Sequence, residues 1–203
     1  MGRLVASAGL GYLMGTLPSA DIAARLCDRE VDLRRQGSGN PGGTNVAQVI
    51  GPGWGAAVTA ADMVKGAVAC RVGQRLIGTA GAHVAGPAAV VGHCLPVWTR
   101  FRGGKGVATS VGQVLATFPA YFPVDFAVAY ATVSNPRIRH RTFVATALAS
   151  GAWVGCGVLW WKKRLPNLWG PEPSAGLPLA AAASSAVILQ RFVQAGDPRE
   201  GRG

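Results

Sequence analysis

Mostly apolar stretches recur along the chain, near residues 4–24, 46–70, 76–98, 106–118, 120–134, 143–161 and 177–193. Nothing else in the sequence constrains the fold as strongly. A helix that crosses a bilayer takes about 20 predominantly apolar residues, and fewer where it packs inside a bundle. The residues between the stretches are few, because only 14% of the 203 residues are charged, against roughly 25% in soluble domains. The pattern predicts an all-α, polytopic integral membrane helical bundle of about seven transmembrane helices. It forms one domain over 1–203, with a polar tail from about residue 195. Pro119 and Pro123 divide 106–134 into two short helices instead of one long one.

The net charge of +11 raises nucleic acid as a partner, but the basic residues alternate with apolar spans instead of clustering on one fold. The bilayer accounts for them better. With the N-terminus outside, one side carries thirteen of the twenty Lys and Arg, including Arg29, Arg34, Arg35, Arg102, Lys105, Arg199 and Arg202. The other side carries six, among them Lys162, and Lys65 falls within a span. The richer side is cytoplasmic by the positive-inside rule, so the C-terminus is cytoplasmic too. Cys27, Cys70, Cys94 and Cys156 have no CxxC spacing and read as small buried residues, with no metal site and no disulfide framework. The first apolar stretch has no basic lead beyond Arg3 and reads as a retained helix, not a cleaved signal.

Two glycine-rich segments lie on the cytoplasmic side, GSGNPGGTN at 37–45 and GHCLPVWTRFRGGKGVAT at 92–109. Glycine at this density lets backbone N–H groups turn toward one point, which makes an anion-binding concavity. Lys105 and Arg102 add positive charge, and the helix starting after GGKG points its N-terminus back at the loop. Pro41 favours a turn, with Thr44 near the cap of the next helix. Asp62 and Lys65, three residues apart on one helix face, are either an intramembrane ion pair locking helices or part of the site. Gly11, Gly15 and Gly112 read as close helix-packing positions, and His83 and His140 as structural. Ser38 has no Asp–His pair nearby and no GxSxG elbow around it. Neither loop matches the GxxxxGK[ST] nucleotide pattern.

GSGNPGGTN, then DMVKG, then GHCLPVWTRFRGGKGVAT, in this order over about residues 8 to 118, resembles the bacterial acyl-phosphate:glycerol-3-phosphate acyltransferase family of the PlsY type. The resemblance implies a seven-helix enzyme of the bacterial cytoplasmic membrane with its loops facing the cytoplasm. It would move a fatty acyl group from acyl phosphate to the 1-hydroxyl of sn-glycerol 3-phosphate, giving lysophosphatidate and phosphate, with no metal or organic cofactor and no obligate protein partner. It further implies His93, Lys105, Ser38 and Asn40 as catalytic residues. Gly37, Gly39, Gly42, Gly43, Thr44, Asn45, Gln48, Lys65, Arg102, Gly103, Gly104 and Gly106 would bind the substrates' phosphates. His93 either deprotonates the glycerol hydroxyl or donates a hydrogen bond to phosphate. An acyl phosphate is already activated, so the protein has mainly to hold two anions together and stabilise an oxyanion.

The chain departs from the family pattern at several places. Gln48 stands where Arg is usual, and Gln brings no charge for a bidentate phosphate contact. Arg34 or Arg35 are candidates to compensate. Gly43 replaces Ala, and ATVSNPRI stands at the end of the fifth helix with Ser134 and Arg137 at the serine positions. In the last helix Ser185 and Ile188 occupy the usual His and Asn positions, with only the Arg191 frame and acidic Asp197 kept. These departures leave open a diverged or inactive paralogue with another acyl acceptor, and a phosphate-binding membrane transporter is a separate alternative. The transporter reading finds no internal repeat to support it.

Overall fold

The computed structural model describes residues 1–27 and 31–195, so Arg29, Asp197, Arg199 and Arg202 lie outside the described residues. Among the described residues there are nine α-helices and no strand. They are α1 (Gly2–Gly15), α2 (Ser19–Leu26), α3 (Gly43–Val49), α4 (Pro52–Ile77), α5 (Thr79–Cys94), α6 (Val107–Thr117), α7 (Phe122–Ser134), α8 (Arg141–Lys163) and α9 (Gly176–Ala195).

The expected boundaries shift at prolines and glycines. The stretch 4–24 is not one helix: it breaks between α1 and α2, where Pro18 has no N–H to continue the ladder. The stretch 46–70 is divided as well, because Gly51 adopts φ 148 and Pro52 opens α4 at its first position. Thr44 does not cap α3, which starts one residue earlier behind the extended Gly42. The expected break in 106–134 is present: a 3-10 turn at Pro119–Tyr121 joins α6 to α7 at a bend of 116°.

Small residues bring the helices together. Ser7 Oγ donates to the Gly81 carbonyl at 3.0 Å. A Cβ on Gly11 or Gly15 would overlap the Ala85 and Ala89 backbone. This register sets α1 parallel to α5. In α4, Gly73 meets Gly81 at the start of α5, while Asp62 approaches His93 near its end, so these two run antiparallel. α9 runs with α5: Gly176 lies on His83, and Ile188 packs with Val90 and Cys94. Leu4, Leu10, Val64, Val68, Phe126 and Leu148 face outward. A small-residue interior beneath an apolar exterior is how helices associate in lipid.

By length and composition α8 and α9 each suffice to cross a membrane, and α6 with the Pro119–Ser134 segment passes as a bent pair. α4 is long enough but carries Asp62, Lys65, Arg71 and Arg75. The loop after α8 covers the short α6. Asn167 Nδ2 donates to the Thr117 carbonyl at 3.0 Å and Trp169 Nε1 to the Leu115 carbonyl at 2.8 Å. These bonds satisfy carbonyls that the end of a helix leaves unpaired.

Candidate active site

The polar centre forms where α1 gives way to α2, beside the middle of α4 and the end of α5. Asp62 lies at its middle. Its Oδ1 accepts a hydrogen bond from Ser19 Oγ at 2.8 Å, is 2.9 Å from Lys65 Nζ, and stands 3.6 Å from His93 Nδ1. Lys65 Nζ also donates to the Leu17 carbonyl at 3.1 Å, a group without a helical partner because of the break at Pro18. The Asp62 and Lys65 side chains are only 3% and 5% exposed. Charges so deeply placed persist only when paired and hydrogen-bonded. The pair ties α4 to Leu17 and Ser19 and also lines the polar pocket.

The second glycine-rich segment closes one wall. Gly103 N donates to the Cys94 carbonyl and Gly104 N to the His93 carbonyl, each at 3.1 Å. On its other side Arg191 of α9 donates to the Gly103 carbonyl at 3.0 Å and the Gly104 carbonyl at 3.4 Å. The two glycines are thus pinned between the ends of α5 and α9. A Cβ on Gly104 would overlap the imidazole of His93, so this glycine lets the backbone lie directly on the ring. Lys105 projects elsewhere, its Nζ 4.2 Å from the centre of the Phe192 ring. Ile188 packs against Val90 and Cys94, away from the pocket, and Ser185 is buried in the bundle.

The first glycine-rich segment is held from within. Asn45 Oδ1 accepts from Ser38 N at 2.7 Å, and its Nδ2 donates to the Leu33 and Gln36 carbonyls at 2.9 and 3.0 Å. The amides of Gly39 and Gly42 donate to the Gln36 and Asn40 carbonyls. Gly37 and Gly39 have φ of 60° and 70°, the left-handed region that glycine enters at no steric cost. Gly43 packs on Gly55 and Thr59 of α4. Thr44 and Gln48, four apart on α3, are on its exposed or half-exposed side.

The pocket brings together four of the residues singled out from sequence: His93, Lys65, Gly103 and Gly104. Pro41 alone represents the first glycine segment there, and Ser38, Asn40, Gln48, Arg102, Lys105 and Gly106 do not line it. Asp62 and Arg34, raised from the sequence as a site pair member and as a compensating cation, also line it, as do Ser19 and Asp21, which the sequence reading did not raise. The pocket holds about 20 Å³ of free volume, about that of one water. Beside it an open apolar groove of about 280 Å³ runs between α2 and α4, lined by Ile22, Leu26, Trp54, Ala57, Val58 and Ala61. Leu17, Ser19 and Lys65 line both spaces. The arrangement joins a polar, hydrogen-bonding end to an apolar trough, the shape of a ligand with a charged head and a hydrocarbon tail.

Comparison with known proteins follows the same lines. The family model described as glycerol-3-phosphate acyltransferase matches residues 5–194. A glycerol-3-phosphate acyltransferase from Symbiobacterium thermophilum is 48% identical over 120 residues, 59% of this chain and 59% of that protein. One from Desulforudis audaxviator is 38% identical over 154 residues, 75% of this chain and 77% of its own. The chain spans about three fifths of the length of the first curated relatives it matches. Among solved structures it is similar to PlsY, an integral membrane glycerol 3-phosphate acyltransferase, in its glycerol 3-phosphate form. The TM-score is 0.76 at 27% identity, covering 94% of this chain and 88% of the other.

Proposed function

Because this chain belongs to the glycerol-3-phosphate acyltransferase family, we propose that it transfers a fatty acyl group from acyl phosphate to the 1-hydroxyl of sn-glycerol 3-phosphate. The observation that carries this reading is the junction at Ser19 and Lys65, where the polar pocket meets the apolar groove. The acyl chain lies along α2 and α4 with its carbonyl at the junction. The glycerol hydroxyl oxygen attacks that carbonyl, a tetrahedral oxyanion forms, and the bond from carbon to the phosphate oxygen breaks, releasing inorganic phosphate and lysophosphatidate. Lys65 stands where the oxyanion develops, and a fixed, buried cation stabilises it.

His93 forms part of the pocket wall, its Nδ1 3.6 Å from Asp62 Oδ1 and its Nε2 covered by the Gly104 backbone. The departing phosphate takes the hydroxyl proton. Lys105, Arg102, Ser38, Asn40 and the α3 residues Thr44 and Gln48, outside the pocket lining, are assigned to gathering the two anions as they approach. No step calls for a metal or an organic cofactor.

The helix directions support seven crossings. α1 with α2, α5, α7 and α9 run one way and α4, α6 and α8 the other, which is in keeping with both glycine-rich segments facing one side of the membrane. The N-terminus is outside and the C-terminus cytoplasmic, the described residues forming one domain. Purified protein given palmitoyl phosphate releases phosphate only when glycerol 3-phosphate is present. Release that ignores the acceptor contradicts the reading.

A further inference from the structure

We propose that Arg34 is a phosphate-binding cation of this site and that Asp21 occupies its guanidinium in place of the substrate's phosphate. This assignment rests on the acyltransferase reading and adds a residue to it. Arg34 Nη1 and Nη2 donate to the two Asp21 carboxylate oxygens at 2.7 and 3.0 Å. Its Nε donates to the Arg102 carbonyl at 2.8 Å, and its own backbone N–H is held by Asp32 at 3.0 Å. Both Arg34 and Asp21 line the polar pocket with His93, Lys65, Gly103 and Gly104. The guanidinium is therefore aimed by its Nε and backbone anchors, while its two outer nitrogens grip an anion at the pocket wall.

A carboxylate and a phosphate present the same pair of oxygens to that fork. Both outer nitrogens of Arg34 are already taken by Asp21, so a phosphate reaches the pocket's cations only if a lining carboxylate gives way. Two carboxylates in the lining are candidates, and burial decides between them. Withdrawing Asp62 strands Lys65, whose side chain is 5% exposed, and an uncompensated buried charge is strongly unfavourable. Asp21 and Arg34 are 27% and 21% exposed. The Asp21 carboxylate can turn to water at less cost than Asp62, because it is the more exposed of the two and leaves its partner cation partly solvated. Its departure vacates the space and leaves one lining cation unmatched for an arriving phosphate dianion. Before that exchange the lining is balanced, Lys65 by Asp62 and Arg34 by Asp21. Gln48, on the exposed side of α3, brings no charge of its own.

The test is steady-state kinetics of the full chain in detergent, varying palmitoyl phosphate and glycerol 3-phosphate separately. Asp21→Asn removes the competing charge while keeping shape, and it lowers the KM of one phosphate-bearing substrate by about tenfold. Arg34→Lys keeps charge but loses the fork, and it raises the same KM about tenfold with kcat within about threefold. A response confined to glycerol 3-phosphate assigns the fork to the acceptor, and one confined to palmitoyl phosphate assigns it to the donor. A KM unchanged or raised in Asp21→Asn, or unchanged for both substrates in Arg34→Lys, overturns the proposal. Should Asp21→Asn fail to fold, Arg34→Lys alone decides. Wild-type protein lacking acceptor-dependent transfer fails the acyltransferase reading itself, whereas active wild type with unmoved variants fails only the Arg34 assignment.

Discussion

Removing either member of the Asp62–Lys65 pair should cripple the fold, and removing both should restore the fold without restoring the chemistry. Asp62→Asn leaves the Lys65 ammonium without its counter-charge at 2.9 Å, in a place where its side chain is only 5% exposed. Lys65→Met leaves the carboxylate with Ser19 and a distant imidazole. Breaking a buried pair from one side costs about 3–5 kcal/mol. For a chain of this length that lowers the melting temperature on the order of 10 °C. The double variant leaves no stranded charge, so the two losses fail to add, with a coupling of about 3 kcal/mol. Thermal unfolding in detergent with a thiol-reactive dye reads this directly, because Cys70 and Cys94 are 1% and 0% exposed and react only on unfolding. The half-buried Cys27 and Cys156 set the baseline. All three variants lose acyl transfer, since each removes Lys65 or the carboxylate that holds it in place. Single variants melting within about 2 °C of wild type, or additive losses in the double, refute the reasoning.

Gly104→Ala places a methyl group where the His93 imidazole lies. Turnover should fall by at least about a hundredfold while the protein stays folded, and near-normal kcat would show that the ring's position does not matter. A cysteine replacing Lys162 should react with an impermeant maleimide added to intact cells, and one replacing Arg102 only after permeabilisation. The reverse pattern would invert the topology.

Much of the architecture was legible because hydropathy and proline act locally. The seven apolar stretches each contain helix, and Pro119 marked the bend between the fourth and fifth. The breaks at Pro18 and Gly51–Pro52 were equally visible as residues, yet an apolar run around them masks the turn. Asp62 and Lys65 could be paired from their spacing, since three residues along a helix is a contact distance. The direction in which a glycine's N–H points could not be read, because density of glycine says nothing of φ and ψ. Gly103 and Gly104 direct their amides at the carbonyls of Cys94 and His93, and Asn45 supports its own loop. Arg34 meets Asp21 across thirteen residues, and Arg191 meets Gly103 across eighty-eight. Such pairings belong to tertiary geometry, though an acidic residue in the apolar flank PSADIAARL was a signal that Asp21 needed a partner.

The most direct measurement uses glycerol 3-phosphate carrying oxygen-18 at the 1-hydroxyl, with palmitoyl phosphate and the purified protein. Attack of that hydroxyl on the acyl carbonyl predicts one labelled lysophosphatidate for each phosphate released, the label in the ester oxygen and none in the phosphate. Phosphate released together with free palmitate, and no labelled ester, would contradict it.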